Sequence, residues 1–208
     1  MYDYEIKKQL ILSYDNSVTS TERNIIDNWK QTEVNKFLHY HKNINSMKLL
    51  DIGAGTGIHG QIFKEAGFDV TCIDISPKMI QSCEEKGLNA IIMDLYNLSF
   101  KEESFDTVWS MNSLLHIPKK EIEQVLINVK KVLRNEGIFY LGVYGGYDSE
   151  GIWEDDSCNP KRFFSFYTNE NLRYIVSKFF YIISFNTVTL DNKNLIYQSL
   201  ILQKSNSK

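Results

Sequence analysis

The sequence predicts an α/β fold, a largely parallel sheet with helices on both faces. Three observations predict it. From residue 48 onward, strand-like apolar runs alternate with amphipathic helical stretches. The first strand runs straight into the glycine-rich turn Gly53-Ala54-Gly55-Thr56-Gly57, which opens into a helix. Residues 138–144 (IFYLGVY) are apolar throughout, as a strand buried on both faces is.

Each element has its own local reason. Residues 1–45 read as a helical cap, with Ile25, Ile26, Trp29, Val34, Phe37 and Leu38 forming the apolar pattern. Residues 48–53 (KLLDIG) are the first strand. Ile58, Ile62, Phe63 and Ala66 then recur at helical spacing until Gly67 stops the helix. A second strand covers 69–75, and Ser76-Pro77 opens the next helix with Ser as N-cap and Pro in the first turn. That helix ends near Gly87. Strands follow at 89–93 and, after an acidic turn, at 105–110. Pro118 is expected to start a helix whose stripe is Ile122, Val125, Leu126, Val129, Val132 and Leu133, with Asn135-Glu136-Gly137 ending it. Residues 145–167 form a long insertion, rich in aromatics and charge and without a strict period. Loops of this length in a domain are usually functional or mobile. Thr168 caps a last helix bearing Leu172, Ile175, Val176 and Phe179. Strands at about 180–188 and 195–203, joined by Asp191-Asn192-Lys193-Asn194, complete a terminal hairpin.

At 208 residues the chain has the size of one domain with a full core. It divides into a helical cap (1–45), a core (46–144), a lid (145–167) and a C-terminal helix and hairpin (168–208). Charged residues at 24% and hydrophobic ones at 43% are a globular balance. The net charge of −3 leaves no electrostatic footprint for nucleic acid. No apolar run approaches the ~20 residues that span a bilayer, and the start MYDYEIKK has no secretory h-region. Cys72, Cys83 and Cys158 suggest neither a disulfide framework nor a CxxC metal site. A cytoplasmic protein without a membrane partner is expected, either monomeric or dimeric.

The glycine turn carries the first chemistry. It satisfies two frames: GxGxxG over Gly55-Thr56-Gly57-Ile58-His59-Gly60, and DxGxGxG beginning at Asp51. The first alone is weak evidence for a dinucleotide. The second has more support, because Asp51 puts a carboxylate where an ammonium fits better than a pyrophosphate. Asp74 ends the second strand, where a carboxylate accepts ribose hydroxyls. Asp94 ends the third, where it can accept an adenine amino group. Three acids at consecutive strand ends favour a cationic, phosphate-free nucleoside.

With these residues in view, the chain resembles a class I S-adenosylmethionine-dependent methyltransferase of the small-molecule type. LLDIGAGTG resembles that family's first motif, VTCIDIS its second, IIMDLYNLSF its adenine motif, FDTVWSMNSLLHIP its segment after strand four and EGIFYLGVYGG its fifth strand. The resemblance implies a doubly wound, Rossmann-like seven-stranded sheet of order 3-2-1-4-5-7-6 with the last strand antiparallel. It also implies S-adenosylmethionine as cofactor. Gly53, Ala54 and Gly55 would pass under its methionine part, and Asp51 would approach its amino group. Asp74 would hold the ribose, Ile75 would pack on the adenine, and Asp94 with Leu95 would read the adenine edge. Met111 and Asn112 would line the cofactor after strand four.

Around the methyl group the residues leave alternatives. His116 is a candidate base or a loop-shaping histidine. Trp153 and Arg162 form a substrate clamp, or belong to a lid whose aromatics pack on one another and whose charges pair. Tyr14, Trp29 and Lys30 close over the cofactor, or pack as ordinary helix residues. Cys158 reads as a bystander, and no ligand spacing supports a metal site. The function expected is methyl transfer to a small-molecule acceptor. A non-catalytic S-adenosylmethionine-binding protein and an NAD-dependent oxidoreductase are the alternatives.

Overall fold

The computed structural model describes residues 4–21, 26–41, 44, 47–190 and 195–204. Ile25 and the turn at Asp191-Asn192-Lys193-Asn194 therefore lie outside the described residues. Helices α1 (Tyr4–Thr21) and α2 (Asn28–His39) precede β1 (Lys48–Ile52), α3 (Ile58–Glu65), β2 (Asp69–Asp74), α4 (Pro77–Glu85) and β3 (Asn89–Ile92). Then come β4 (Phe105–Met111), a 3-10 turn (Leu114–His116), α5 (Ile122–Val132), β5 (Leu133–Gly145), β6 (Ser149–Ile152) and β7 (Phe163–Phe166). Helix α6 (Asn169–Ser177) and strands β8 (Phe180–Thr189) and β9 (Ile196–Lys204) complete the chain.

The main sheet has seven strands in the order β3-β2-β1-β4-β5-β9-β8. Strands β1 to β5 pair parallel, and β9 runs antiparallel to both β5 and β8. The sheet expected from the sequence is thus the sheet found. Local capping is also as expected. Ser76 Oγ accepts from Met79 N at the start of α4, and Thr168 Oγ1 accepts from Asn171 N at the start of α6.

Two separate cores cover the sheet. On one face α2 and α3 bring Val34, Phe37 and Phe63 against Leu49, Trp109 and Tyr140. Trp109 and Tyr140 are partners across β4 and β5, and their rings stack at 3.8 Å. On the other face α5 lays Val125, Leu126 and Val129 against Leu50, Ile52, Val108 and Phe139.

The structure departs from the sequence expectations in three places. First, Pro118 does not start the helix. A turn intervenes, and α5 begins at Ile122 and stops at Val132. Leu133 is extended, fully buried and paired with Phe105. Its place in the β4–β5 ladder wins over the helical stripe, and Asn135-Glu136-Gly137 sit where the register shifts as a bulge rather than acting as a helix stop. Second, residues 145–167 contain an antiparallel ribbon of β6 and β7. Third, the N-terminal helices do different work. Helix α2 is a sheet-covering element, whereas α1 lies across the carboxyl edge of the strands. Among the described residues of α1, only Leu10 and Ser13 are buried. Polar contacts hold it instead: Lys7 to Asp94, Gln9 to the Lys161 carbonyl, Tyr14 to His116 and Asp15 to Ser76. No helix among the described residues is long and apolar enough to cross a membrane.

Candidate active site

The parallel strands end on one edge, and β1 delivers the chain there into the glycine turn. Gly53 N and Ala54 N donate to the Ile73 carbonyl at 2.8 and 3.0 Å, which ties the turn to β2. Gly53 has φ +68°, and a Cβ there would stand 2.3 Å from Ser113 Cβ. Gly55 has φ +55°, yet nothing lies within 4 Å of where its Cβ would be. Packing therefore demands glycine at 53. At 55 the backbone conformation favours glycine and the space in front stays open.

Asp74 holds the turn from the end of β2. Its Oδ2 accepts Gly55 N at 3.0 Å and its Oδ1 accepts Ser76 N at 2.9 Å. The bland reading, capping at a strand–helix junction, is thus part of its role. Each carboxylate oxygen keeps a second lone pair, so Asp74 can still accept hydroxyls from a ligand. Burial raises its pKa, and the backbone N–H groups of Ser76, Gly55 and Ile75 oppose the shift. Asp74→Ala should weaken S-adenosylhomocysteine binding by about 1.5–3 kcal/mol, the scale of hydrogen bonds to a charged group. Calorimetric titration checks this, and unchanged affinity would leave Asp74 as a cap alone.

A cavity of about 560 Å³ opens in front of the turn. Gly53, Ala54, Gly55 and Asp74 form its floor, and Ile75, Asp94 and Leu95 form the end beside β3. Met111, Asn112 and His116 line it from the end of β4, Tyr14 from α1 and Arg162 from the insertion. Asp94 does not face the cavity as a free acid, because Lys7 Nζ lies 2.5 Å from its Oδ2 and Tyr96 N donates to its Oδ1. Asn112 has φ +60°, a strained conformation for a side-chain-bearing residue. Its N–H donates to the Gly142 carbonyl at 2.8 Å, and its buried Oδ1 has no hydrogen-bond partner.

Asp51 lies beneath the turn, 2% exposed, with Oδ2 buried and without a hydrogen-bond partner. Burial, reinforced by the negative charge of Asp74, raises its carboxyl pKa to about 8. Asp51 does not itself line the cavity, and the Gly60 backbone N–H opposes the shift, so its carboxyl stands behind the turn. A pyrophosphate in the cavity would lie against the Asp74 carboxylate.

His116 is buried, and both of its ring nitrogens are engaged. Nδ1 lies 2.8 Å from the Phe163 carbonyl, which can only accept, so Nδ1 carries the proton. Nε2 then accepts from the Tyr14 hydroxyl at 2.7 Å. Burial, with the Arg162 charge second, lowers the His116 pKa to about 3. Burial raises that of Tyr14 to about 12 against the opposing Arg162 charge. The proton stays on Tyr14, and His116 orients that hydroxyl. Of the two readings of His116, this arrangement supports the loop-shaping one over a general base, because both nitrogens are engaged and burial lowers its affinity for a proton.

The two tryptophans expected at the site do not line the cavity. Trp29 packs on Tyr197 at 4.6 Å between ring centroids, while the adjacent Lys30 lines the wall. Trp153 meets the rings of Phe164 and Phe166 at 5.1 and 5.6 Å, inside the packing of the lid. Of its two readings, this packing supports the lid core over the clamp. Arg162 does reach the cavity and is held by Asp156. The cavity is also lined by Cys158, which the sequence reads as a bystander, and by His59, to which it assigns no role. His59 has a buried Nε2 without a hydrogen-bond partner, and burial followed by the nearby Lys30 charge lowers its pKa to about 4. The only signal for it was its place inside the GxGxxG frame, where it occupies an unspecified position.

Residues 50–141 match the family model described as a methyltransferase domain. A 2-methyl-6-phytyl-1,4-hydroquinone methyltransferase of Synechocystis is 36% identical over 116 residues, 51% of this chain and 36% of that protein. A demethylmenaquinone methyltransferase of Tropheryma whipplei is 28% identical over 141 residues, 66% of this chain and 53% of that protein. The chain spans between 26% and 55% of the length of such curated relatives. A similar solved structure is the 1,6-didemethyltoxoflavin-N1-methyltransferase of Burkholderia thailandensis, with 1,6-didemethyltoxoflavin and S-adenosylhomocysteine bound. It has a TM-score of 0.79 at 19% identity and covers 99% of this chain and 92% of that one. That likeness is one of fold.

Proposed function

We propose, from the match of residues 50–141 to the methyltransferase-domain model, that the chain binds S-adenosylmethionine at this edge and transfers its methyl group to a small-molecule acceptor. One observation carries the reading. The glycine turn is open in front of Gly55 and is underlain by a buried Asp51 carboxyl whose Oδ2 has no partner. With Asp74 alongside, the floor suits an ammonium and sugar hydroxyls. It disfavours the pyrophosphate that the GxGxxG frame and an NAD-dependent oxidoreductase would require.

When bound, the sulfonium of the donor supplies an electrophilic methyl carbon for in-line displacement. The chain's own residues do the rest. Asp51 meets the ammonium, Asp74 accepts the ribose hydroxyls, and Ile75 and Leu95 flank the base. Asp94 reads the adenine amino group by exchanging it for Lys7. Helix α1 and the 145–167 lid exclude water, and alignment of the reactants supplies much of the acceleration. Tyr14, fixed by His116, aims a hydroxyl into the cavity and takes no proton. The acceptor therefore arrives with its attacking lone pair already free.

A small acceptor is supported by a cavity roofed by α1 and the lid, and by relatives named for hydroquinone and menaquinone substrates. The same roof makes residues 1–208 one functional domain in this reading. The test is S-adenosylhomocysteine formation from methyl-labelled S-adenosylmethionine over a panel of small acceptors. Tight cofactor binding with no turnover on any of them would favour the non-catalytic reading. Heat on titration with NAD and none with S-adenosylhomocysteine would reject both.

A further inference from the structure

Arg162 reaches the cavity wall from the lid, yet the acid that holds it does not line the cavity. The Asp156 side chain is 1% exposed. It accepts Nε–H and Nη2–H of Arg162 at 2.9 and 2.7 Å, and also the backbone N–H of Arg162 at 2.8 Å. Burial works against the Asp156 carboxylate, but these bonds outweigh it and its pKa falls. Asp156 is thus part of the frame of its own loop and is not available to a ligand. The guanidinium plane lies over the rings of Tyr14 and Phe164, with its carbon 5.0 and 5.2 Å from their centroids. Stacking and the fork to Asp156 together fix its orientation.

A guanidinium carries five N–H donors. Two go to Asp156, through Nε and Nη2, and Nη1 takes no part in that fork. N–H donors are left over on the outer side. The carboxylates lining the cavity already have partners: Asp94 has Lys7, Asp27 has Lys30 at 2.8 Å, and Asp74 has the backbone of Gly55 and Ser76. A sulfonium donor adds positive charge to the same space. The end of the cavity beside Tyr14 and Arg162 therefore presents guanidinium N–H donors that none of these cavity carboxylates takes up.

We propose that the acceptor carries an anionic oxygen group, a carboxylate or a phosphate, and that Arg162 holds it on the outer edge of its guanidinium with Asp156 as the positioning residue. The inference rests on the methyl-transfer reading, which puts the acceptor at this end of the cavity.

The experiment is thermal unfolding of the whole chain at saturating S-adenosylhomocysteine. Sodium acetate and sodium phosphate are titrated against sodium chloride at matched ionic strength. A saturable rise in Tm is expected with at least one oxyanion, and which one responds distinguishes carboxylate from phosphate. Arg162→Gln should lose that rise and keep the shift caused by S-adenosylhomocysteine. Arg162→Lys should recover it only in part, because the charge returns without the fork. No rise above chloride in the parent chain, or an equal rise in Arg162→Gln, overturns the assignment while the methyl-donor reading stands. Absence of any S-adenosylhomocysteine shift in the parent overturns both.

Discussion

Replacing Gly55 by valine is expected to reduce S-adenosylhomocysteine affinity by more than about 100-fold while the chain remains folded. The backbone at 55 is left-handed, which costs a β-branched residue roughly 1–3 kcal/mol, a loss a domain of this size can bear. Within the protein the new side chain meets nothing, since no atom lies within 4 Å of the Cβ position. The methyls instead project into the open space above the turn, where a ligand backed by Asp51 and Asp74 would lie. Gly53→Ala should behave differently, because its Cβ would press on Ser113 at 2.3 Å and the damage falls on folding. Calorimetry for binding and circular dichroism for folding separate the two. Normal affinity in Gly55→Val would remove the ligand from this turn.

Asp51 should make the stability of the ligand-free chain depend on pH. Its carboxyl pKa is raised from 3.8 to about 8 in the folded state. The folded chain therefore holds this proton more tightly than the unfolded chain. Stability is full below about pH 4, falls as pH rises, and has lost Asp51's whole share above about pH 8. Each unit of the shift corresponds to about 1.4 kcal/mol, so the decline amounts to a few kcal/mol. Asp51→Asn removes the charge and keeps the shape. Its Tm is expected to exceed that of the parent progressively from pH 5 to pH 9. Parallel Tm curves would mean that Asp51 is already ionised and solvated.

The same group links protons to the ligand. An ammonium beside Oδ2 favours the carboxylate, so S-adenosylhomocysteine binding near neutral pH should release a proton. Calorimetric enthalpy should then vary with the ionisation heat of the buffer, and in Asp51→Asn it should not.

Much of the framework was legible because its causes are local. The strand before Gly53, the Ser76 cap with Pro77 behind it, and the acids at the ends of β2 and just after β3 are set by neighbours a few residues away. Pattern therefore located the glycine turn and the acids around it, while the strand order followed from the family resemblance. Leu133 was misread because helical spacing and a β partner compete there, and the partner, Phe105, is far off in the chain. Trp153 was left between a clamp and a packed lid because composition cannot tell a ring facing a ligand from one facing Phe164.

By itself, the sequence determined an α/β sheet with its glycine turn and three carboxylates on one edge, since apolar periodicity and turn chemistry are properties of short segments. The tertiary structure alone decided what those groups can do. It placed Tyr14 against His116, 102 residues away, and so turned a candidate base into an orienting residue. It gave Lys7 to Asp94 and Asp156 to Arg162, and left one oxygen of Asp51 without a partner. The physical reason is that the charge, tautomer and accessibility of a side chain depend on burial and on its through-space neighbours. Those neighbours are brought together by the sheet and by α1 lying across its edge, over separations that no local pattern encodes.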